Sequence, residues 1–130
     1  MHLRTGLIVR VARESGRTRV AVHGEIDLDS ADMLNRVLGD CLRADAGGVD
    51  VDLTAVGFFD CSGLNTLLRA RALAEAFGVR FTLGAVSAAV ARVLDLTHCR
   101  DAFPEAVVAD GPRRRGESLR LVAGELVATG

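Results

Sequence analysis

The sequence predicts an α/β domain, and three observations carry that prediction. Segments in which apolar residues alternate are followed by segments with helical periodicity, and this step repeats along the chain. Hydrophobic residues make up 49% of the 130 positions and charged residues 25%, enough for one core without disulfide or metal staples. Strands interleaved with helices of this length imply parallel pairings joined by right-handed crossovers.

The elements follow in order. Leu7-Ile8-Val9-Arg10-Val11 and Arg19-Val20-Ala21-Val22-His23-Gly24 read as two strands joined by the polar turn Arg13 to Arg17, a hairpin pattern. Asp29-Ser30 opens a helix. Ser30 is the expected cap, and Asp32 suits the positive end of the helix dipole. Apolar residues then recur at Met33, Leu34, Val37, Leu38, Cys41 and Leu42, and Gly47-Gly48 closes the unit. Val49, Val51 and Leu53 alternate with Asp50 and Asp52 as a buried strand. Asp60-Cys61-Ser62-Gly63 leads into a second helix through Leu64, Leu67, Leu68 and Ala74, with Gly78 at the place of a left-handed C-cap. Phe81 to Val86 is a further buried strand, and Ser87 starts a helix carrying Val90, Val93, Leu94 and Leu96. Ala106 to Ala109 fits a short edge strand. Residues 1–109 form the expected domain. Residues 110–130 comprise a loop with Arg113-Arg114-Arg115 and a final helix over Glu117 to Ala128, or a tail.

Composition excludes several roles. All 16 basic residues are arginine, the formal net charge is −1, and there is no Trp or Tyr beside five Phe. A near-neutral, aromatic-poor chain lacks the basic face and stacking platforms of nucleic-acid binders. No apolar run approaches the roughly 18 residues of a membrane span. Met1 to Arg13 has no signal-peptide core, so a cytoplasmic location is expected. Cys41, Cys61 and Cys99, an odd number at spacings of 20 and 38, form neither a disulfide framework nor a zinc pattern. Charge is uneven along the chain. Residues 25–60 hold nine acids against two arginines, a net of −7.

Two segments stand out as candidate sites. Asp60-Cys61-Ser62-Gly63-Leu64 places small and polar residues where a buried strand meets a helix, the rim at which α/β sheets meet ligands and partners. Ser62 or Asp60 serves there as a helix cap, or Ser62 presents an exposed hydroxyl where phosphate is welcomed by free N–H groups. Gly24-Glu25-Ile26-Asp27 is either a βα loop with solvated acids or a second part of the same rim, with Asp27 beside the Ser62 loop. A small hydrolase or transferase would use Cys61 or Ser62 with His23 or His98 and an Asp. No Gly-x-Ser-x-Gly elbow supports that chemistry, and no Gly-rich phosphate loop supports ATP binding.

The order Gly24-Glu25-Ile26-Asp27, then Val51-Asp52-Leu53-Thr54-Ala55-Val56-Gly57-Phe58-Phe59-Asp60-Cys61-Ser62-Gly63-Leu64, then Val93-Leu94-Asp95-Leu96-Thr97 resembles the STAS domain. More narrowly, it resembles bacterial anti-sigma factor antagonists of the sporulation and stress type. The resemblance runs from about residue 6 to Phe103. It implies a small mixed sheet of four to five strands packed against helices on one side. It also implies a partner switch. The unphosphorylated antagonist binds an anti-sigma factor that is a serine kinase, and so frees a sigma factor. The kinase, using its own ATP, phosphorylates the antagonist and is released, and a separate serine phosphatase resets it. The family's target hydroxyl corresponds to Ser62. Gly24, Glu25, Ile26, Asp27, Asp60, Cys61, Gly63 and Leu64 are the implied partner-binding positions. No catalytic residue, metal ligand or cofactor is implied, nor any nucleic-acid or membrane partner, and monomer and dimer are both open. The alternative within the family is a STAS scaffold or ligand-binding regulator without phosphorylation. Two departures stand out. Cys61 replaces a usual Ser or Thr, and His98-Cys99 replaces a usual Gly-hydrophobe pair.

Overall fold

The computed structural model describes residues 6–44, 47–109 and 126–129. In chain order the elements are β1 (Leu7–Glu14), β2 (Arg17–Ile26), α1 (Leu28–Ala44), β3 (Val49–Phe59), α2 (Cys61–Phe77), β4 (Phe81–Val86), α3 (Ala88–Leu96), a 3₁₀ turn (Arg100–Ala102), β5 (Val107–Val108) and β6 (Leu126–Thr129). They form one mixed sheet in the order β5-β4-β3-β2-β1-β6. Among the described residues only β1 and β2 pair antiparallel, through a two-residue turn at Ser15 and Gly16, both with positive φ. That backbone matches the twist of a tight hairpin. The remaining pairs are parallel.

Alternation decides which face is buried. Val9, Val20, Val22, Val49, Leu53 and Leu83 are almost fully enclosed, and they share their core with Leu34, Leu38 and Leu42 of α1, Leu67 of α2 and Leu94 of α3. The intervening residues form the open face. There Arg17 pairs with Asp50 at 2.8 Å and Arg19 with Asp52 at 3.1 Å. These part-exposed pairs contribute at most about 1 kcal/mol each, but they keep that face polar.

The α/β fold with a mixed sheet is as the sequence predicts, and among the described residues a sixth short strand joins its edge. Two details within that fold are corrected. The sixth, β6, occupies Leu126–Thr129 and pairs with β1 from Val9↔Leu126 to Ala12↔Thr129, so residues 126–128 are not the end of a helix. The free edge of β1 offers a row of N–H and C=O groups, and this pairing satisfies part of it. The rest of the expected helix over 117–128, with Arg113 to Arg115, lies outside the described residues. The second correction concerns the cap of α1. The helix starts at Leu28, two residues ahead of Ser30.

Helix ends otherwise follow their residues. Gly78 takes φ 73° after α2. Ser87 caps α3, its Oγ accepting from the Val90 N–H at 3.3 Å. Past the Thr97 cap, His98 adopts φ 59° and the Cys99 N–H donates to the Leu94 carbonyl at 2.8 Å, with Cys99 partly buried on the core. The left-handed position is therefore built without the glycine that such a turn favours.

Candidate functional site

Two strand-to-helix junctions lie side by side at one rim of the sheet. Parallel register places Glu25 opposite Phe58 and Ile26 opposite Phe59. Register shifts on β2 and β3 precede these pairs, the kind of irregularity that re-aims strand ends. On β3 the outcome is a buried Phe59 beside a Phe58 that is 47% exposed.

In the first junction, Gly24 has φ +119° and its backbone passes close to the start of β1. A Cβ there would stand 2.2 Å from the Gly6 carbonyl oxygen. The Glu25 N–H donates to that same oxygen at 3.2 Å. Asp27 holds the N-cap position of α1, its carbonyl accepting from the Ala31 N–H at 2.9 Å. Asp27 Oδ1 accepts from the Ser30 N–H at 3.0 Å, while Ser30 Oγ accepts from the Asp27 N–H at 3.0 Å. This is a reciprocal capping box in which both side chains are used. The Ser30 hydroxyl donates to the Glu25 carbonyl at 2.9 Å.

In the second junction, Asp60 is the N-cap of α2, and its Oδ1 accepts from the Ser62 N–H at 2.9 Å. Cys61 is exposed and Ser62 half-buried on the first turn. Thr66 Oγ1 donates to the Ser62 carbonyl at 3.1 Å. The Ser62 hydroxyl itself has no hydrogen-bond partner among the described residues. Gly63 lets the helix start sit directly on the core. A Cβ on it would meet the Phe59 ring at 2.5 Å and Ile26 Cγ2 at 2.9 Å. One glycine thus locks the two junctions together.

The nine residues singled out in the sequence therefore separate by depth. Glu25 and Cys61 are exposed; Gly24, Asp27, Asp60 and Ser62 are intermediate; Ile26, Gly63 and Leu64 are buried. Ser62 opens onto a groove of about 230 Å³ between α1 and α2, with Leu28, Ala31, Asp32 and Asn35 on one wall and Asn65, Thr66 and Arg69 on the other. Past Asn35 and Arg69 the furrow continues into a wider stretch of about 510 Å³ reaching Leu73 and Ala76. Leu28, 76% exposed at the mouth, and Arg69 were not among the residues singled out. The spacing of seven between Ser62 and Arg69, close to two helical turns, is the one sequence signal that links them.

The −7 of residues 25–60 does not form one surface. Asp50 and Asp52 sit on the open sheet face with Arg17 and Arg19. Asp32 pairs with Arg36 at 3.7 Å and Asp40 with Arg43 at 3.4 Å. Neither the Cys61 thiol nor the Ser62 hydroxyl hydrogen-bonds a histidine among the described residues, and His23 lies within β2 opposite Ile8. Among those residues no cluster of three or more His, Cys, Asp or Glu side chains could hold a metal, and no helix is long and apolar enough to cross a membrane.

A family model described as "Mlab, STAS domain" matches residues 9–102. Among solved structures, the crystal structure of an anti-sigma factor antagonist from Mycobacterium paratuberculosis is similar at TM-score 0.67 and 24% identity, over 80% of this chain and 88% of that one. The anti-sigma factor antagonist SpoIIAA in its unphosphorylated form is similar at TM-score 0.64 and 17% identity, over 78% and 87%. The Bacillus cell fate determinant SpoIIAA in its phosphorylated form is similar at TM-score 0.61 and 16% identity, over 78% and 90%. At these identities the structural likeness is one of fold. No curated protein sequence matches the chain.

Proposed function

The chain belongs to the STAS domain family, and from that premise we propose that it is an anti-sigma factor antagonist switched by phosphorylation of Ser62. One observation carries the proposal: Asp60 performs the capping of α2, which leaves the hydroxyl of the partly buried Ser62 uncommitted at the mouth of a groove. The matched SpoIIAA, known in unphosphorylated and phosphorylated forms, is a fold-level precedent for such a pair of states.

In this reading, unphosphorylated protein binds an anti-sigma factor serine kinase and a sigma factor is released. Glu25, Asp27, Asp60 and Cys61 supply contacts at the rim, while Gly24, Ile26, Gly63 and Leu64 hold that rim in shape. The kinase transfers the terminal phosphoryl group of its own ATP to Ser62 Oγ; the hydroxyl proton is lost and ADP leaves. A serine phosphatase reverses the state by hydrolysis.

The charge explains why one group suffices. Phosphate adds about −1.5 to −2 at neutral pH. At the start of a helix the dipole tolerates it, so the fold survives. Inside an interface shaped for a neutral hydroxyl, a charge left unpaired costs on the order of 2–5 kcal/mol. That is roughly 30-fold to a few thousandfold in affinity.

The test is incubation with candidate anti-sigma factor kinases and ATP, followed by intact mass and mapping of the phosphate. Ser62→Ala is expected to keep kinase binding and take no phosphate, and Ser62→Asp to bind weakly. Equal binding by both variants, or phosphate mapped elsewhere, overturns the switch.

A further inference from the structure

The cations along α1 and α2 are not equivalent. Arg36, Arg43 and Arg71 each have a carboxylate partner within 4.0 Å on their own helix. Arg69 has no ion-pair partner among the described residues, and it lines the same groove as Ser62. It lies seven residues beyond Ser62 on α2, about 10 Å along the axis and nearly in line with it. Side chains on a helix lean back toward its N-terminus, so an Arg69 side chain extended along the groove reaches toward Ser62, past Asn65 and Thr66.

We propose that Arg69 receives the phosphate of phosphorylated Ser62, drawing the new charge into the groove between α1 and α2. The proposal rests on Ser62 being the modified residue and names what the modification does next. A guanidinium offers parallel N–H donors that match phosphate oxygens in pairs, and the Asn65 amide adds a neutral donor one turn from Ser62. Two surface features then change at once. Ser62 gains charge, and Arg69 is withdrawn from any partner carboxylate that it meets in the unphosphorylated state.

The experiment uses the full chain with phosphoserine installed genetically at position 62. The second ionisation of the phosphate is followed by phosphorus NMR against pH in the parent, in Arg69→Gln and in Arg71→Gln. The last removes the same charge from a position outside the groove. Other groups near the phosphate are Asp32 across the groove, Asp60 and Cys61 beside it, and Glu25 and Asp27 on the neighbouring loop; all are retained in every variant. An ordinary phosphoserine ionises near pH 6. The expected result is that Arg69→Gln raises this value by about half a unit, that Arg71→Gln does not, and that 0.5 M salt removes most of the difference. The Arg69 side-chain NH resonance is expected to shift on phosphorylation. Identical titrations in parent and Arg69→Gln, with an unmoved Arg69 resonance, overturn the proposal. Because the phosphate is installed without a kinase, that outcome leaves the partner switch intact. Failure of kinases to modify Ser62 removes the reading on which the proposal rests, whereas the titration of the installed phosphate reads the Arg69 pairing itself.

Discussion

The two junctions at the rim use the same residue types to opposite ends. Each has an aspartate at the helix cap and a serine in the first turn. In the first, Ser30 lies three positions after Asp27, and both side chains close a reciprocal box. In the second, Ser62 lies two positions after Asp60, and only the aspartate caps, through the Ser62 backbone. A spacing that differs by one residue decides whether a serine hydroxyl is structural or available. The first junction is thereby a support and the second a surface, and Gly63 couples them by bringing α2 onto Ile26 and Phe59.

Breaking the support should have the largest effect. Gly24→Ala meets a positive φ and a backbone oxygen 2.2 Å away, which no rotamer relieves. A loss of about 4 kcal/mol is expected by denaturant unfolding. Gly63→Ala breaks the coupling instead. The helix gains about 1 kcal/mol in propensity, but the buried Phe59 ring must move, so a net loss of about 2 kcal/mol is expected. Its near-ultraviolet and NMR signals from Phe59 should change while those of β1 persist. The caps come next. Asp27→Ala removes half of a two-way box and should cost about 2 kcal/mol, whereas Asp60→Ala removes one bond and should cost about 1 kcal/mol. Equal losses from the two aspartates would mean that the junctions are not distinct.

Local periodicity made α1, α2, α3 and the four long strands legible in the sequence, because each buries one face against a common core. What escaped was set at longer range. β6 exists because the edge of β1, more than a hundred residues earlier, accepts it. The acid-rich stretch misleads for a related reason. Asp50 and Asp52 alternate onto the open face, where arginines 33 residues away answer them, so a charge run in sequence is divided in space. At the site, the pairing of the two loops was legible from their residues. Asp27 and Ser30 are both good caps for α1, and only the helix start at Leu28 decides between them in favour of Asp27. Nothing local in the sequence marks Arg69; the packing of α1 against α2 puts it in the groove with Ser62.

The smallest expected effect is also the sharpest test of the comparison. Ser30→Ala deletes a hydroxyl that accepts from the Asp27 N–H and lies within bonding distance of the Glu25 carbonyl, and it should cost about 1 kcal/mol. Ser62→Ala deletes a hydroxyl with no partner among the described residues and replaces it with a better helix former, so stability should change by less than about 0.5 kcal/mol in either direction. Both variants are measured in the unphosphorylated protein by the same denaturant titration, where m-values that match the parent keep the comparison valid. If Ser62→Ala costs as much as Ser30→Ala, the hydroxyl is structural. A kinase would then have to take it from the fold. If it costs nothing, modification is separable from folding, the condition under which a phosphate can change binding and leave the domain standing.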